Sequence, residues 1–320
     1  MPREQGNRSR SKHQHWVPQF YLRYFATSDT RNSEQPKVWI FSKHTSDGDE
    51  VLTNVRNVCG KRYLYSPVGD DGKRNWDLDE MLDGLESTIS RIWPVLVEDF
   101  VPLDELPLRE GLALFVAVMR LRNPKVRDEV EHIHRQLVSF YENMPLLPDG
   151  TPAVDSIEIN GQTHELDLKG WHDYRTWGRN EHDRFFTHIV ESEAIHIAKM
   201  LLTKRWSIVC ATEDVFITSD QPVSIQRQSR QKAGLGTHGT IVIFPISPKR
   251  LLVMDDMHSE PANQYYPLQE SSAGAFNFGI WRNGSRFMVT GRPVAEVLAE
   301  ILAFGESYSD GNVSPLHQAD

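Results

Sequence analysis

The chain has 320 residues, 39% apolar and 25% charged, with a formal net charge of −9. That is enough chain for a sizeable core and the composition of a globular protein, so disorder throughout is excluded. No apolar run approaches the ~20 residues that span a bilayer, the opening twelve residues lack the apolar stretch of a secretory signal, and the two cysteines, Cys59 and Cys210, make neither a disulfide framework nor a four-thiolate zinc site; the expectation is a cytoplasmic protein with no membrane segment.

In chain order, residues 1–12 form a basic flexible arm, residues 13–310 a single domain, and residues 311–320 a tail. The first part of the domain, 13–70, contains β-structure. Its opening, His15 to Leu22, is aromatic and fits either a strand or a short helix, whereas Val38–Phe41 and Arg62–Tyr65 are short β-type runs. A helical stretch follows at 77–204. Leu78, Leu82, Leu85, Ile89, Ile92 and Leu96 recur at three- and four-residue steps, predicting an amphipathic helix from about Leu78 to Glu98. Leu112, Phe115, Val116 and Met119 begin a second helix, which Pro124 kinks or breaks. Val126, Val130, Ile133, Leu137 and Phe140 then continue the apolar period to about Tyr141.

Periodicity fails from 145 to 180, where Asp149-Gly150 and Asn160-Gly161 are turn signals, so this reads as an insertion holding a small hairpin. A third helix runs from about Glu181 to Lys204. The part at 206–291 is β-rich, with strands at Trp206–Cys210, Val215–Thr218, Thr240–Phe244 and Arg250–Met254. A hairpin is expected across Asn283-Gly284, joining Phe276–Trp281 to Arg286–Val289. A last helix covers 293–304. Runs of one element type, rather than strict alternation, predict an α+β fold with a helical layer packed on a mixed, largely antiparallel sheet.

Four constellations carry chemistry. His13-Gln14-His15 precedes Pro18-Gln19 and Tyr21, and an imidazole titrates near neutrality. Thr218-Ser219-Asp220-Gln221-Pro222-Val223 follows a β-type run; Asp220 either binds a metal or orients a histidine, or closes an Asx-type turn. Glu86 and Glu193 sit within apolar helical stripes, where a carboxylate needs a partner such as Arg120 or Arg122, or an edge that reaches solvent. Arg127 and His132, five residues apart, resemble the arginine–histidine ribonuclease signature of the HEPN toxins, although five residues on an ideal helix set two side chains about 140° apart. Gly-rich phosphate loops, His-Glu-x-x-His and Gly-x-Ser-x-Gly are missing, which argues against kinases, zinc peptidases and α/β-hydrolases.

Gln14-His15-Trp16-Val17-Pro18-Gln19-Phe20-Tyr21-Leu22, Ile217-Thr218-Ser219-Asp220-Gln221-Pro222-Val223 and Phe244-Pro245-Ile246-Ser247-Pro248 stand in this order, with Asn57-Val58-Cys59 ahead of Tyr65 and Arg122 ahead of Pro124. In these segments the chain resembles an uncharacterised bacterial family, a domain of unknown function. The usual asparagine of its Thr-Ser-Asp-Asn-Pro-Val segment is here Gln221. The resemblance implies no activity; it implies that His15 and Asp220 belong to one recurrent pattern.

The expectation is a hydrolase, a metal-assisted nuclease acting on phosphodiesters, for which a bacterial defence or toxin role would fit. His15 moves a proton, Asp220 and Glu86 orient it or hold Mg or Mn, and Arg122 stabilises developing negative charge. Gln19, Tyr21, Asn57, Ser219 and Arg230 would contact the substrate. RNA or DNA is the expected partner: net charge opposes it only at long range, and basic runs lie in the arm (Arg3, Arg8, Arg10, Lys12) and at Arg227, Arg230 and Lys232. The alternatives are a non-catalytic binding module for a nucleotide, nucleic acid or protein partner, and a purely structural lock between His15 and Asp220.

Overall fold

The computed structural model describes residues 11–43, 50–159, 161–227, 234–269 and 272–309. Most of the basic arm, the C-terminal tail, Arg230 and Lys232 lie outside them. The aromatic opening uses both of its options. A strand, β1 (His13–His15), ends at Trp16, and Pro18 then sets the entry to a short helix, α1 (Gln19–Tyr24). Strands β2 (Lys37–Ser42) and β3 (Glu50–Asn54) pair antiparallel, and after a turn of 3-10 helix β4 (Gly60–Arg62) pairs with β1.

The helical layer begins with α2 (Asp77–Glu98), whose first turn carries Asp77, Asp79 and Glu80 against the positive end of the helix. Its last carbonyls are capped from across the core, since Arg250 donates to Leu96 and Glu98, each at 2.8 Å, and to Asp99. Helix α3 (Leu106–Leu121) is buried along most of its length and forms the spine of the layer. Pro124 does not kink this helix; it opens a new one. Asn123 caps α4 (Pro124–Glu142) by accepting the Lys125 amide at 2.9 Å, and proline stands in the first turn, where no intrahelical donor is needed. The insertion holds the hairpin of β5 (Ser156–Ile159) and β6 (Gln162–Glu165) and a single helical turn, α5 (Trp171–Tyr174). Helix α6 (Arg179–Leu202) packs on α3 and α4. Among the described residues no helix is long and apolar enough to cross a membrane.

The β-rich part is two sheets. One has the order β12-β7-β11-β10-β9, from β7 (Arg205–Cys210), β9 (Ser224–Arg227), β10 (Thr240–Ser247), β11 (Arg250–Asp255) and β12 (Gln264–Pro267); only the β12–β7 pair is parallel. The other has the order β3-β2-β13-β8, where β8 (Thr218–Ser219) and β13 (Phe287–Thr290) complete the N-terminal hairpin. The larger apolar cluster lies between the helical layer and the first sheet, with Phe20, Tyr21, Trp93, Phe115 and Phe244 in mutual ring contact at its centre. A second cluster lies under α7 (Ala273–Asn283) and α8 (Val294–Ser309). The fold is α+β with mostly antiparallel sheets, as expected.

Two expectations are corrected. Phe276–Trp281 is not a strand: Gly274, Asn277 and Ile280 are its buried residues, and this three-residue step is helical. The Asn277 amide, fully buried, takes the Ile217 N–H and donates to the Val215 carbonyl, so a polar side chain rather than a strand ladder joins this segment to its neighbour. On α4 the apolar stripe faces outward. Ile133 and Phe140 are 54% and 53% exposed, while Pro124, Arg127, His134 and Tyr141 are buried. The buried face of α4 meets polar and aromatic groups of α6 and the insertion, where arginine and histidine find partners that leucine would not.

Candidate functional site

The segments around His15 and Asp220 meet, though not through the imidazole and the carboxylate. The Trp16 indole N–H and the Asn123 amide both donate to the Asp220 backbone carbonyl, at 3.0 and 2.7 Å. The Tyr21 and Thr218 hydroxyls share a hydrogen bond of 2.7 Å, both residues being fully buried. Arg122 donates to the His15 carbonyl, and the Tyr65 hydroxyl donates to the Arg122 carbonyl at 2.7 Å. The Arg122 Nη1 lies 2.7 Å from Glu86 Oε1, an ion pair.

Asp220 is 1% exposed, and its two carboxylate oxygens accept the Ser285 and Arg286 amides at 2.8 and 3.0 Å. Burial pushes its carboxyl pKa up, against the pull of those amides. Ser219 is fully buried and its hydroxyl accepts the Gln221 amide at 3.1 Å. Gln221 is buried with its Oε1 unpartnered among the described residues.

The side chain of His15 lies on the outer side of this network. One ring nitrogen lies 3.0 Å from the Arg56 carbonyl and the other 3.4 Å from the Gln19 amide. Burial, then His13 and Arg122, hold its pKa below the ordinary imidazole value. Asn57 is exposed and its amide donates to the Thr53 hydroxyl at 3.4 Å. Glu193 is exposed, as a stripe-edge acid would be. The structure thus brings Asp220, Ser219, Tyr21 and Arg122 into one buried web. It leaves His15, Gln19 and Asn57 at its rim, and Glu86 bound to Arg122. Among the described residues no three of His, Cys, Asp and Glu converge as a metal would require.

A different cluster has the geometry of a site. A cleft of about 420 Å³ lies between α4, the start of α6 and β4. Its cations are Lys61 of β4, Arg127 and Arg135 of α4, and Arg179 of α6; its one lining acid is Glu131. Lys61 stands opposite Gln14 in the β1–β4 pair, so the ribbon that carries His15 also forms this wall. His134 and His182, 6% and 5% exposed, line the cleft, and Trp177 stacks on His134 with ring centroids 5.7 Å apart. Arg127 is held by Glu131 and by Asp183 at 2.9 Å, which fixes its guanidinium at the cleft edge.

The hydrogen bonds assign the tautomers. His134 Nε2 lies 2.7 Å from the Tyr174 carbonyl, which only accepts, so that nitrogen carries the proton. In the neutral ring His134 Nδ1 is then an acceptor, and it takes the His182 Nε2–H at 3.1 Å. His182 Nδ1 is left with its lone pair and forms no hydrogen bond among the described residues. Burial, then His134 and Arg127, push the His182 pKa down, against Glu131 and Asp183, which favours the neutral ring. A neutral imidazole among cations is a proton acceptor beside an anion-binding surface.

The HEPN-like pairing does not form in this cleft, because His132 lies on another side of α4 from Arg127. Sequence reading missed His134 and His182, which are 48 residues apart and share no motif. The usable signal was the line Arg127–His134–Tyr141, one polar-aromatic residue every seven on a helix.

Fold and site together define an α+β protein in which an aromatic N-terminal segment is keyed into the C-terminal sheets, with a histidine-bearing cationic cleft on the helical side. The chain belongs to the family described as Protein of unknown function (DUF4238), whose model matches residues 13–293. No curated protein and no solved structure matches it.

Proposed function

We propose that the chain is a hydrolase of phosphodiesters, a nuclease, working at the cleft between α4, α6 and β4. The observation that carries this is the free Nδ1 of His182, fixed by the Tyr174–His134 relay among Lys61, Arg127, Arg135 and Arg179. Cations in a half-enclosed cleft favour a phosphate and the extra charge of its pentacoordinate transition state. The imidazole supplies the base, and Trp177 offers an aromatic edge to a nucleobase.

The test is purified protein with labelled single- and double-stranded RNA and DNA, in EDTA, Mg²⁺ or Mn²⁺. Cleavage should fall by about 100-fold or more in His182→Gln, the range for loss of a general base. Wild-type turnover in that variant, or no turnover of any strand by folded protein, refutes the reading. The second reading is a binding module, favoured by the engagement of Arg127 with Glu131 and Asp183; the same two carboxylates lie 3.9 Å from Arg135 and Arg179, so Lys61 is the lining cation without a carboxylate within ion-pair distance among the described residues. It predicts salt-sensitive binding of nucleic acid without turnover.

A further inference from the structure

We infer that the substrate of this cleft is RNA, cut by attack of its own 2′-hydroxyl; the inference rests on the nuclease reading above. A lone base can activate a water molecule or a hydroxyl already held beside the phosphorus. Water attack on a phosphodiester needs strong electrophilic help, from metal ions or from a second acid–base group. Here Glu131, the one lining acid, is bound to Arg127. Of the two imidazoles, His134 has both ring nitrogens committed, to Tyr174 and His182. No three metal-ligating side chains converge among the described residues. One free imidazole nitrogen therefore remains, and it matches a nucleophile that the substrate brings in place, where proximity replaces activation.

In the step, the 2′-hydroxyl proton passes to His182 Nδ1. The 2′-oxygen–phosphorus bond forms as the phosphorus–5′-oxygen bond breaks, and the departing 5′-oxygen takes a proton from water. The imidazolium then releases its proton to the hydroxide so formed. The products are a 2′,3′-cyclic phosphate and a 5′-hydroxyl. Lys61, on the cleft wall, would meet the added phosphorane charge, and Nε2 of His182 keeps its bond to His134 throughout.

The experiment uses the full chain and a DNA oligonucleotide carrying one ribonucleotide, with 2′-deoxy and 2′-O-methyl versions at the same position, in EDTA and in Mg²⁺. The expected result is a single cut after the ribonucleotide, in either buffer, leaving an end that resists alkaline phosphatase until acid opens it. The deoxy and methyl strands should be cut at least 100-fold more slowly. Equal cutting of the deoxy strand, or a linear phosphate end, overturns the inference and leaves the nuclease reading standing. No cutting of any strand, with an intact circular dichroism spectrum, overturns both. His182→Asn serves if His182→Gln does not fold; either should lose the cut, and imidazole added to the His182→Gly variant should restore part of it. A folded variant that cuts at the wild-type rate overturns the inference.

Discussion

Replacing Asp220 by alanine removes the acceptors of the Ser285 and Arg286 amides, 2.8 and 3.0 Å away, at the turn between α7 and β13. A hydrogen bond to a charged group is worth about 1.5–3 kcal/mol, and a buried donor left unpaired costs about 1–3 kcal/mol. Two bonds therefore set an upper range near 6 kcal/mol. Two features lower it: the carboxylate is itself desolvated, and Ser285 and Arg286 are not fully buried. The expected loss is about 2–4 kcal/mol. Urea unfolding followed through the eight tryptophans reads it directly. With a slope on the order of 3 kcal/mol/M for a chain of this size, the midpoint falls by about 1 M. Asp220→Asn keeps one acceptor and falls between. An unchanged midpoint in Asp220→Ala refutes the structural assignment, and an unchanged midpoint with lost cleavage returns the carboxylate to the chemistry.

Tyr21→Phe leaves the buried Thr218 hydroxyl without its partner and should cost about 1–2 kcal/mol in the same urea assay. Asp255→Ala strands Arg205, which it holds through two bonds of 2.8 and 2.6 Å with both side chains under 10% exposed; the loss should be about 3–5 kcal/mol. At Gly291 an added Cβ would lie 2.6 Å from the Ala26 carbonyl oxygen, so Gly291→Ala forces backbone apart and should lower stability by about 1–3 kcal/mol. His182 is held below its ordinary value of 6.5, so the folded state favours the neutral ring. Its contribution is complete above the unfolded value and is lost as pH falls through the lower folded one. Thermal midpoints of wild type and His182→Gln should therefore converge on acidification below about pH 6.5, and parallel curves would contradict the assignment.

Much of the architecture was legible because it rests on short-range periodicity. Leu78, Leu82, Ile89 and Leu96 define α2 nearly to the residue, and all four are buried. The misreadings arise where polar groups take over the work of apolar ones. The stripe Ile133–Leu137–Phe140 looks like a core face, yet α4 is oriented by Arg127 and His134, whose partners Asp183, Tyr174 and His182 lie 40 to 56 residues away. The Phe276/Phe278/Ile280 alternation mimics a strand beside an Asn-Gly turn, while Asn277 fixes a helix through bonds to residues 60 and 62 positions earlier. The coupling of the His15 and Asp220 segments was legible as a pattern. Its form was not, since a backbone carbonyl accepting an indole N–H leaves no trace in residue identity. The histidine pair was invisible for the same reason: its two members acquire meaning only once α4 and α6 lie side by side.

The bond between Trp16 and the carbonyl of residue 220 spans 204 positions, and that from Tyr21 to Thr218 spans 197. A ribosome adding ~5–20 residues per second delivers the aromatic opening on the order of ten seconds or more before its receptor exists. Through that interval Trp16 and Tyr21 lack these two partners, although β1 can already pair with β4 and Tyr21 can already meet Trp93. Closure of so wide a loop is entropically slow. A circular permutant that emits residues 205–309 first should therefore acquire protease resistance earlier during synthesis than the natural order does.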